Sequence, residues 1–401
     1  MAPVKSSRIW IQTPLGFSCG VPLLLTGPTM TAWLDDAGVG LAAIGFFSLI
    51  HLPYNLKVFW APLLDRFRLP WLGRRRDWML ATQIVLMGGI AAMAVIDPAV
   101  SPTLLAGIAL AVATVSASQD VVVDAYRTDV LSGHEVGRGS ATYVTGYRTA
   151  MIASGGGALV LADLVSWRAA YLCMAGAMAV GIAATLSAPN PTDARPPASL
   201  RAAIFDPLRD FSGRRDALLA LAIVLLFKVG DALVAHMVPA FLLGLDFSKT
   251  EIGLVQKTLG LAATIGGCAL GGIAADRIGV LRALLIFGFL QALANVGYIA
   301  LAMTGKQHEL LLVAVSVDNL CNGCGIAALM AFMMTLCNRR FSATQYALLA
   351  SASTLVGRLM GAGAGYMIHA IAWEGFFAMT IVIEVPALLL ISWYRRRDGS
   401  V

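Results

Sequence analysis

The chain has 401 residues, 58% hydrophobic and only 13% charged, with a mean hydropathy of +0.77. A soluble domain carries nearer 25% charge and could not hide that much apolar surface, so lipid is the solvent for much of this sequence. The net charge of +6 would suit a nucleic-acid partner, but its distribution excludes one: with spans placed as below, 21 of the 29 Lys and Arg fall in loops on one side, three (Arg168, Lys249, Lys306) on the other, and five inside spans.

That asymmetry follows the positive-inside rule and places the basic loops and both termini in the cytoplasm. Apolar runs bounded by charges predict an all-α membrane protein with spans near 12–33, 42–64, 78–96, 102–126, 141–163, 169–188, 217–243, 250–275, 283–303, 309–334, 346–370 and 374–394. They are numbered 1 to 12 below. Span 1 follows a short basic head, Lys5 to Arg8, and lacks a small-residue cleavage pattern, so it reads as a span and not a cleaved leader. Pro22 and Pro28 interrupt span 1, Pro53 interrupts span 2 and Pro239 falls in span 7. Breakers in the first span of each half point to a cavity-lining role. Residues 189–216 carry five Pro (Pro189, Pro191, Pro196, Pro197, Pro207) and Arg195, Arg201, Arg209, Arg214 and Arg215. They read as a cytoplasmic linker between an N-terminal six-helix half, 1–188, and a C-terminal half, 217–401.

The halves echo each other. The loop after span 2 reads Asp65-Arg66, then Gly73-Arg74-Arg75-Arg76; the loop after span 8 reads Gly272 followed by Asp276-Arg277 and Gly279. Both are similar to the G-x-x-x-D-R-x-G-R-[KR] signature of the major facilitator superfamily, although the first has Ala61 for the leading Gly and an insertion. One such loop alone is a helix cap with topogenic charge. Matching loops in both halves imply a cytoplasmic gate in which Asp65, Arg66, Asp276 and Arg277 pair with a neighbouring helix end. Glycines recur every fourth residue at Gly357, Gly361 and Gly365 in span 11 and cluster at Gly155-Gly156-Gly157 in span 5, as helix-packing faces.

Ten ionisable residues lie inside spans: Lys57, Asp120, Asp124, Arg148, Lys228, Asp231, Lys257, Asp318, Arg358 and Glu384. At roughly 2.5–3.5 kcal/mol each on the insertion scale, facing lipid would cost about 30 kcal/mol in all, more than a fold's whole stability. They must face the interior, a watery cavity or one another. Asp120 and Asp124 are i, i+4 on one face of span 4 beside Gln119. Two carboxylates this close suit proton uptake and release; the competing reading locks both to Arg127, Arg148 or Lys57. Lys228 and Asp231 are i, i+3 in span 7 and read first as an ion pair. Glu384, in span 12, is set aside as peripheral. His51, His236 and His369 are isolated, and Cys321-Asn322-Gly323-Cys324 lies in an apolar span with no second ligand pair, so no metal or cofactor is expected. No G-x-S-x-G, H-E-x-x-H or Walker loop occurs, which argues against an enzyme and against ATP-driven transport.

Eight stretches carry a resemblance along nearly the full length. They are Gly16-FSCGVPLLLTGPTMTAWL, Ile44-GFFSLI, Gly73-RRRDWMLATQI, Ser116-ASQDVVVDAYRTDVL, Phe227-KVGDAL, Lys257-TLGLAATI, Arg282-ALLIFGFLQALANVGY and Met334-TLCNRRFSATQYALLAS. In these the chain resembles the AmpG family of muropeptide permeases, within the major facilitator superfamily. The resemblance implies proton-driven import of GlcNAc-1,6-anhydroMurNAc and its peptides from periplasm to cytoplasm in cell-wall recycling, which feeds β-lactamase induction where that enzyme is inducible. It implies a monomer whose partners are protons, the bilayer and one small-molecule substrate. The family's S-A-S-Q-D falls on Ser116 to Asp120 with its second acid at Asp124, its G-Y-R on Gly146, Tyr147 and Arg148, its K-x-G-D on Lys228 and Asp231, and its K-T-L-G on Lys257. Proton coupling is then expected at Asp120, Asp124, Asp231 and Asp318, and a substrate cavity at Gln119, Lys57, Arg148, Tyr147, Lys228, Lys257, Arg358 and Asn319. Two departures stand out. Some members carry two further helices after span 12, where this sequence has Arg395-Arg396-Arg397, and span 10 has Asp318 where Glu is common, with Asn322 and Cys324 nearby. These changes leave an iron–siderophore importer of the same superfamily as the alternative.

Overall fold

A computed structural model describes residues 3–40, 47–191, 196–361 and 363–397, without the side chains of residues 3–6, 48 and 358. The opening of the resemblance stretch at Ile44 and the side chain of Arg358 therefore lie outside the described residues. Within them the chain is helical throughout, and nine helices are long and apolar enough to cross a membrane. Helical segments also occupy the three other predicted spans. Span 2 is broken into short turns between Ser48 and Arg66, span 5 runs from Val136 to Leu164 through a π-helical turn at Ala153–Gly157, and span 11 begins with Ser342–Gly361. Ala372, at φ 57° and ψ −179°, separates the end of span 11 from span 12 within the continuous stretch Ala364–Arg397.

The breaks follow only some of the prolines. Span 1 is helical over Gln12–Leu25, with Pro22 carried inside, which corrects the expectation of an interruption there, and it restarts at Pro28, whose missing N–H suits the first helical position. In span 7 the break lies at Phe227–Lys228, between Ala217–Leu226 and Val229–Gly244, while Pro239 is carried inside an unbroken helix. The expectation of an interruption at Pro239 is corrected. In a membrane bundle, neighbouring groups and small local adjustments absorb one lost backbone hydrogen bond. Lys228 at the break precedes the helix that carries Asp231 in its first turn, where the helix dipole favours an anion. The linker is also more ordered than its prolines suggest, because Leu200–Ser212 is a helix with Pro207 inside.

The chain forms two compact units: residues 1–132, 142–208 and 337–347 in one, residues 133–141, 209–336 and 348–401 in the other. The first has its own core of Val21, Leu25, Trp33, Leu86, Met93, Leu105 and Tyr171, with Trp33 stacked on Trp167 and tilted against Tyr171. The second is built on Phe241, Tyr298, Phe376 and Phe377, with Phe241 5.0 Å from both Trp373 and Phe377. Where lipid offers no hydrophobic drive between helices, close backbone approach supplies the attraction. A Cβ on Gly146 would lie 1.9 Å from the Thr13 carbonyl oxygen, and one on Gly323 2.2 Å from that of Thr264. Cys321 and Cys324 are buried in this same packing, with the Cys324 backbone against Gly271. Of the other glycines singled out, Gly357 meets Ala232 and Gly361 faces His236, whereas Gly365 faces open space.

Candidate functional site

In the first unit the site is organised by span 4, an unbroken helix over Pro102–Val130. Its spacing puts Asp120, Asp124 and Arg127 on one face at i, i+4 and i+7. All three are buried. Arg127 donates to Asp124 Oδ1 at 2.6 Å and to Tyr346 Oη at 3.0 Å, and its guanidinium lies 4.0 Å from the Tyr143 ring centroid. A planar, weakly hydrated cation held by one carboxylate and an aromatic face is a well-compensated buried charge. Asp120 is held more loosely: Lys57 Nζ is 3.9 Å from Asp120 Oδ2. Lys57 reaches that point because span 2 is broken there, into Leu52–Leu56, Lys57–Phe59 and Ala61–Arg66. Tyr54 and Trp60 pin the broken segment to span 4 by donating to Ser116 (2.9 Å) and Ser118 (3.0 Å).

The other expected cavity residues of this unit divide. Tyr147 is half-buried with its ring 6.1 Å from Tyr143, and Arg148 meets Met151 Sδ at 3.7 Å, so of the three cations proposed for the two carboxylates it is Lys57 and Arg127 that form the ion pairs. Gln119 faces a buried polar chain. Gln119 Nε2 donates to Ser18 Oγ at 2.9 Å, Gln83 Nε2 donates to the same oxygen at 3.4 Å, and Thr185 Oγ1 donates to Gln83 Oε1 at 2.8 Å. This chain ties together spans 1, 3, 4 and 6.

In the second unit Lys228 pairs with Asp231, and Asn322 Nδ2 approaches the same carboxylate at 3.4 Å. Asp318 accepts from Gln291 Nε2 at 2.8 Å and from Tyr298 Oη at 3.1 Å. Asn319 Oδ1 accepts from Thr264 Oγ1 at 3.1 Å, and Asn319 Nδ2 donates to the Val315 carbonyl. Lys257 is exposed, on a π-helical turn at Val255–Gly260. Glu384, set aside on sequence, is 4% exposed.

The two Asp of the repeated loops act alike. Asp65 accepts from the backbone of Ala343 (3.4 Å) and Thr344 (2.8 Å), from Thr344 Oγ1 (2.7 Å) and from Arg75 (2.7 Å), at the start of the helix Ser342–Gly361. Arg75 also donates to Asp129 Oδ2 at 2.8 Å and to Ser342 Oγ at 2.7 Å. Asp276 accepts from the backbone of Gly137 (2.7 Å) and Arg138 (3.1 Å) and from Arg138 Nε (2.8 Å), at the start of Val136–Ile152, while His134 Nδ1 donates to its carbonyl. A carboxylate at a helix N-terminus with an arginine beside it is a charge-assisted cap. The arginines that meet these carboxylates are Arg75 and Arg138. Arg66 lies over the Phe67 ring at 5.9 Å, and Arg277 is exposed. Arg75 stood in the motif; Arg138, His134 and Thr344 lie far from it in sequence, and only the pseudo-repeat of the loops hinted at matching partners.

An all-helical bundle with paired charges inside its spans and matched carboxylate caps defines a secondary transporter, and the chain belongs to the Major Facilitator Superfamily, whose family model matches residues 13–362. The fold agrees with this. The structure of a major facilitator superfamily proton:xylose symporter bound to 6-bromo-6-deoxy-D-glucose superposes with a TM-score of 0.71 over 97% of this chain and 95% of that one, at 10% identity. A bacterial homologue of the iron transporter ferroportin, in an outward-facing state, gives 0.67 over 99% and 100%, at 13% identity. Within the superfamily the chain falls with the AmpG permeases: it is 47% identical over 391 residues to the anhydromuropeptide permease of Escherichia coli K12, covering 96% of this chain and 79% of that protein.

Proposed function

We propose that the chain is a proton-driven permease, acting as a monomer without a catalytic step, that imports anhydromuropeptides across the bacterial inner membrane for peptidoglycan recycling, with both termini in the cytoplasm. The observation that carries the substrate is the 47% identity, spread over 96% of the chain, to a protein named for that cargo. The charge arrangement supports the energy source. Asp124 is tightly bound to Arg127, whereas the approach of Lys57 to Asp120 is 3.9 Å, loose enough to be exchanged for a proton. Lys57, Tyr147 and Arg148 supply cationic and aromatic groups of the kind that bind carboxylate-bearing sugars. One charge crossing 100 mV is worth about 2.3 kcal/mol, or roughly fiftyfold accumulation of a neutral substrate. The caps at Asp65 and Asp276 are proposed to make and break as the transporter cycles.

The test is uptake of labelled GlcNAc-1,6-anhydroMurNAc-peptide in a permease-null strain expressing this chain. Restored uptake, sensitive to an uncoupler, with less muropeptide lost to the medium, is expected. Normal membrane insertion with continued loss, alongside rescued growth on a ferric siderophore, would overturn it.

A further inference from the structure

The second unit holds a carboxyl group that the ion pairs described above leave over. Glu384 is 4% exposed, and among the described residues neither Oε1 nor Oε2 has a hydrogen-bond partner. Its carboxyl packs directly against Gly230. A Cβ on that residue would stand 2.5 Å from Glu384 Oε1, 2.9 Å from Cγ and 3.1 Å from Cδ, so any larger residue there would push the carboxyl from its present place. Gly230 lies between Lys228, at the break of span 7, and Asp231. The glutamate therefore enters span 7 at the point where the helix is interrupted and the Lys228–Asp231 pair sits.

Among the described side chains the charges around it do not balance. Those acting on Glu384 are Asp231, Lys228 and Asp318: with Glu384 itself, three carboxyls to one ammonium. Asp231 is matched to Lys228, with Asn322 close by, and Asp318 accepts two hydrogen bonds, from Gln291 and Tyr298. Span 9 adds Asn295, but its amide donates to Thr380 of span 12 at 3.1 Å. The Arg397–Asp216 pair (2.8 Å) is at the far, cytoplasmic end of span 12. An ionised carboxylate without a donor in a low-dielectric interior is the arrangement proteins avoid; a protonated one needs no counter-charge.

We propose that Glu384 is a proton carrier of the C-terminal unit, deepening the import reading on which it rests. It holds a proton on a carboxyl oxygen while Lys228 is paired with Asp231. When that O–H bond breaks and the proton leaves toward the cytoplasm, the carboxylate competes with Asp231 for the Lys228 ammonium across the gap that Gly230 leaves open. Reprotonation from the outer side returns Lys228 to Asp231. The exchange of one cation between two anions at a helix break would link proton release to the geometry of span 7.

Three measurements test this on the purified protein. The first needs no substrate: infrared spectra at neutral pH, in H2O and D2O, are compared between wild type and Glu384→Gln. Loss of a protonated-carboxyl C=O band in the variant is expected; an unchanged band overturns the proposal. The second compares proteoliposomes loaded for uphill uptake and for substrate exchange at equal pH, with GlcNAc-1,6-anhydroMurNAc as the probe. Glu384→Gln should lower accumulation to the equilibrium level yet keep exchange, and Glu384→Asp should restore part of the accumulation. Full accumulation in Glu384→Gln, or loss of exchange along with accumulation in a variant that remains monodisperse, overturns it. Gly230→Ala, which crowds the carboxyl, should shift the pH profile of uptake; an unmoved profile counts against the proposal. A wild type that takes up no anhydromuropeptide sinks the import reading, and the infrared comparison then decides Glu384 by itself.

Discussion

Replacing Asp65 by Asn keeps the side-chain shape and removes the charge from a fully enclosed group. Asp65 is 0% exposed and its arginine partner 1%, and the carboxylate collects four donors, two of them backbone N–H groups. Breaking a buried pair from one side costs about 3–5 kcal/mol, because the remaining charge loses its compensation. Here Asp129 still holds Arg75 at 2.8 Å, which places the expectation near the lower end. The matching change, Asp276→Asn, removes the same kind of cap, but Arg138 is 51% exposed. Its ion pair contributes about 1 kcal/mol or less, and the charge at the helix end adds about 0.3–1 kcal/mol. The expected loss is thus about 0.3–2 kcal/mol, smaller than that at Asp65. Thermal unfolding followed by a thiol-reactive dye suits this comparison, since Cys19, Cys268, Cys321 and Cys324 are buried and react only as the bundle opens. A Cys173→Ser background removes the exposed thiol. The Asp65→Asn midpoint should fall well below that of Asp276→Asn. Equal midpoints, or the reverse order, would refute the argument that enclosure of the arginine sets the strength of each cap.

Gly146→Ala would press a methyl group to 1.9 Å from the Thr13 carbonyl and should destabilise by about 1–3 kcal/mol, whereas Gly365→Ala faces open space and should be neutral; the same dye assay reads both. Asp120→Asn should abolish uphill uptake and spare exchange, because the loosely paired carboxylate is the one free to cycle a proton; accumulation that survives and still responds to an uncoupler moves the proton site elsewhere. Reporter fusions should show alkaline phosphatase active at residue 36 and inactive at 200 and 398; activity at 200 would sink the proposed topology.

Lipid made much of the fold legible. A solvent that cannot hydrogen-bond forces long apolar helices, and these show directly in the sequence, as do the charges that bound them. What the sequence reading misplaced were breaks and partners. Pro239 looked like the interruption of span 7, yet the helix absorbs it and breaks at Lys228, where no proline stands. The stretch 189–216 carries five prolines, yet it holds a helix over Leu200–Ser212 with Pro207 inside. The pairing of Asp120 with Lys57 and of Asp124 with Arg127 was among the readings that i, i+4 spacing left open. The partners of Asp65 and Asp276 were not accessible in this way, since Thr344 and Arg138 come from remote segments that tertiary packing brings to the caps. Glu384 looked peripheral because its place in span 12 gives no sign that its carboxyl packs against Gly230 of span 7.

The hydrogen-bonded chain through Ser18, Gln83, Gln119 and Thr185 also constrains how this sequence can drift. Ser18 Oγ accepts from two amides and donates to the Leu15 carbonyl. A change to Ala at that one position orphans the Gln83 amide, at about 1–3 kcal/mol, and leaves the Gln119 amide only Cys19 Sγ at 3.6 Å, while replacing all four residues by apolar ones of similar shape would cost far less. Each single step is worse than either end point. Relatives of this chain should therefore keep the set whole or lose it together, with few intermediates between.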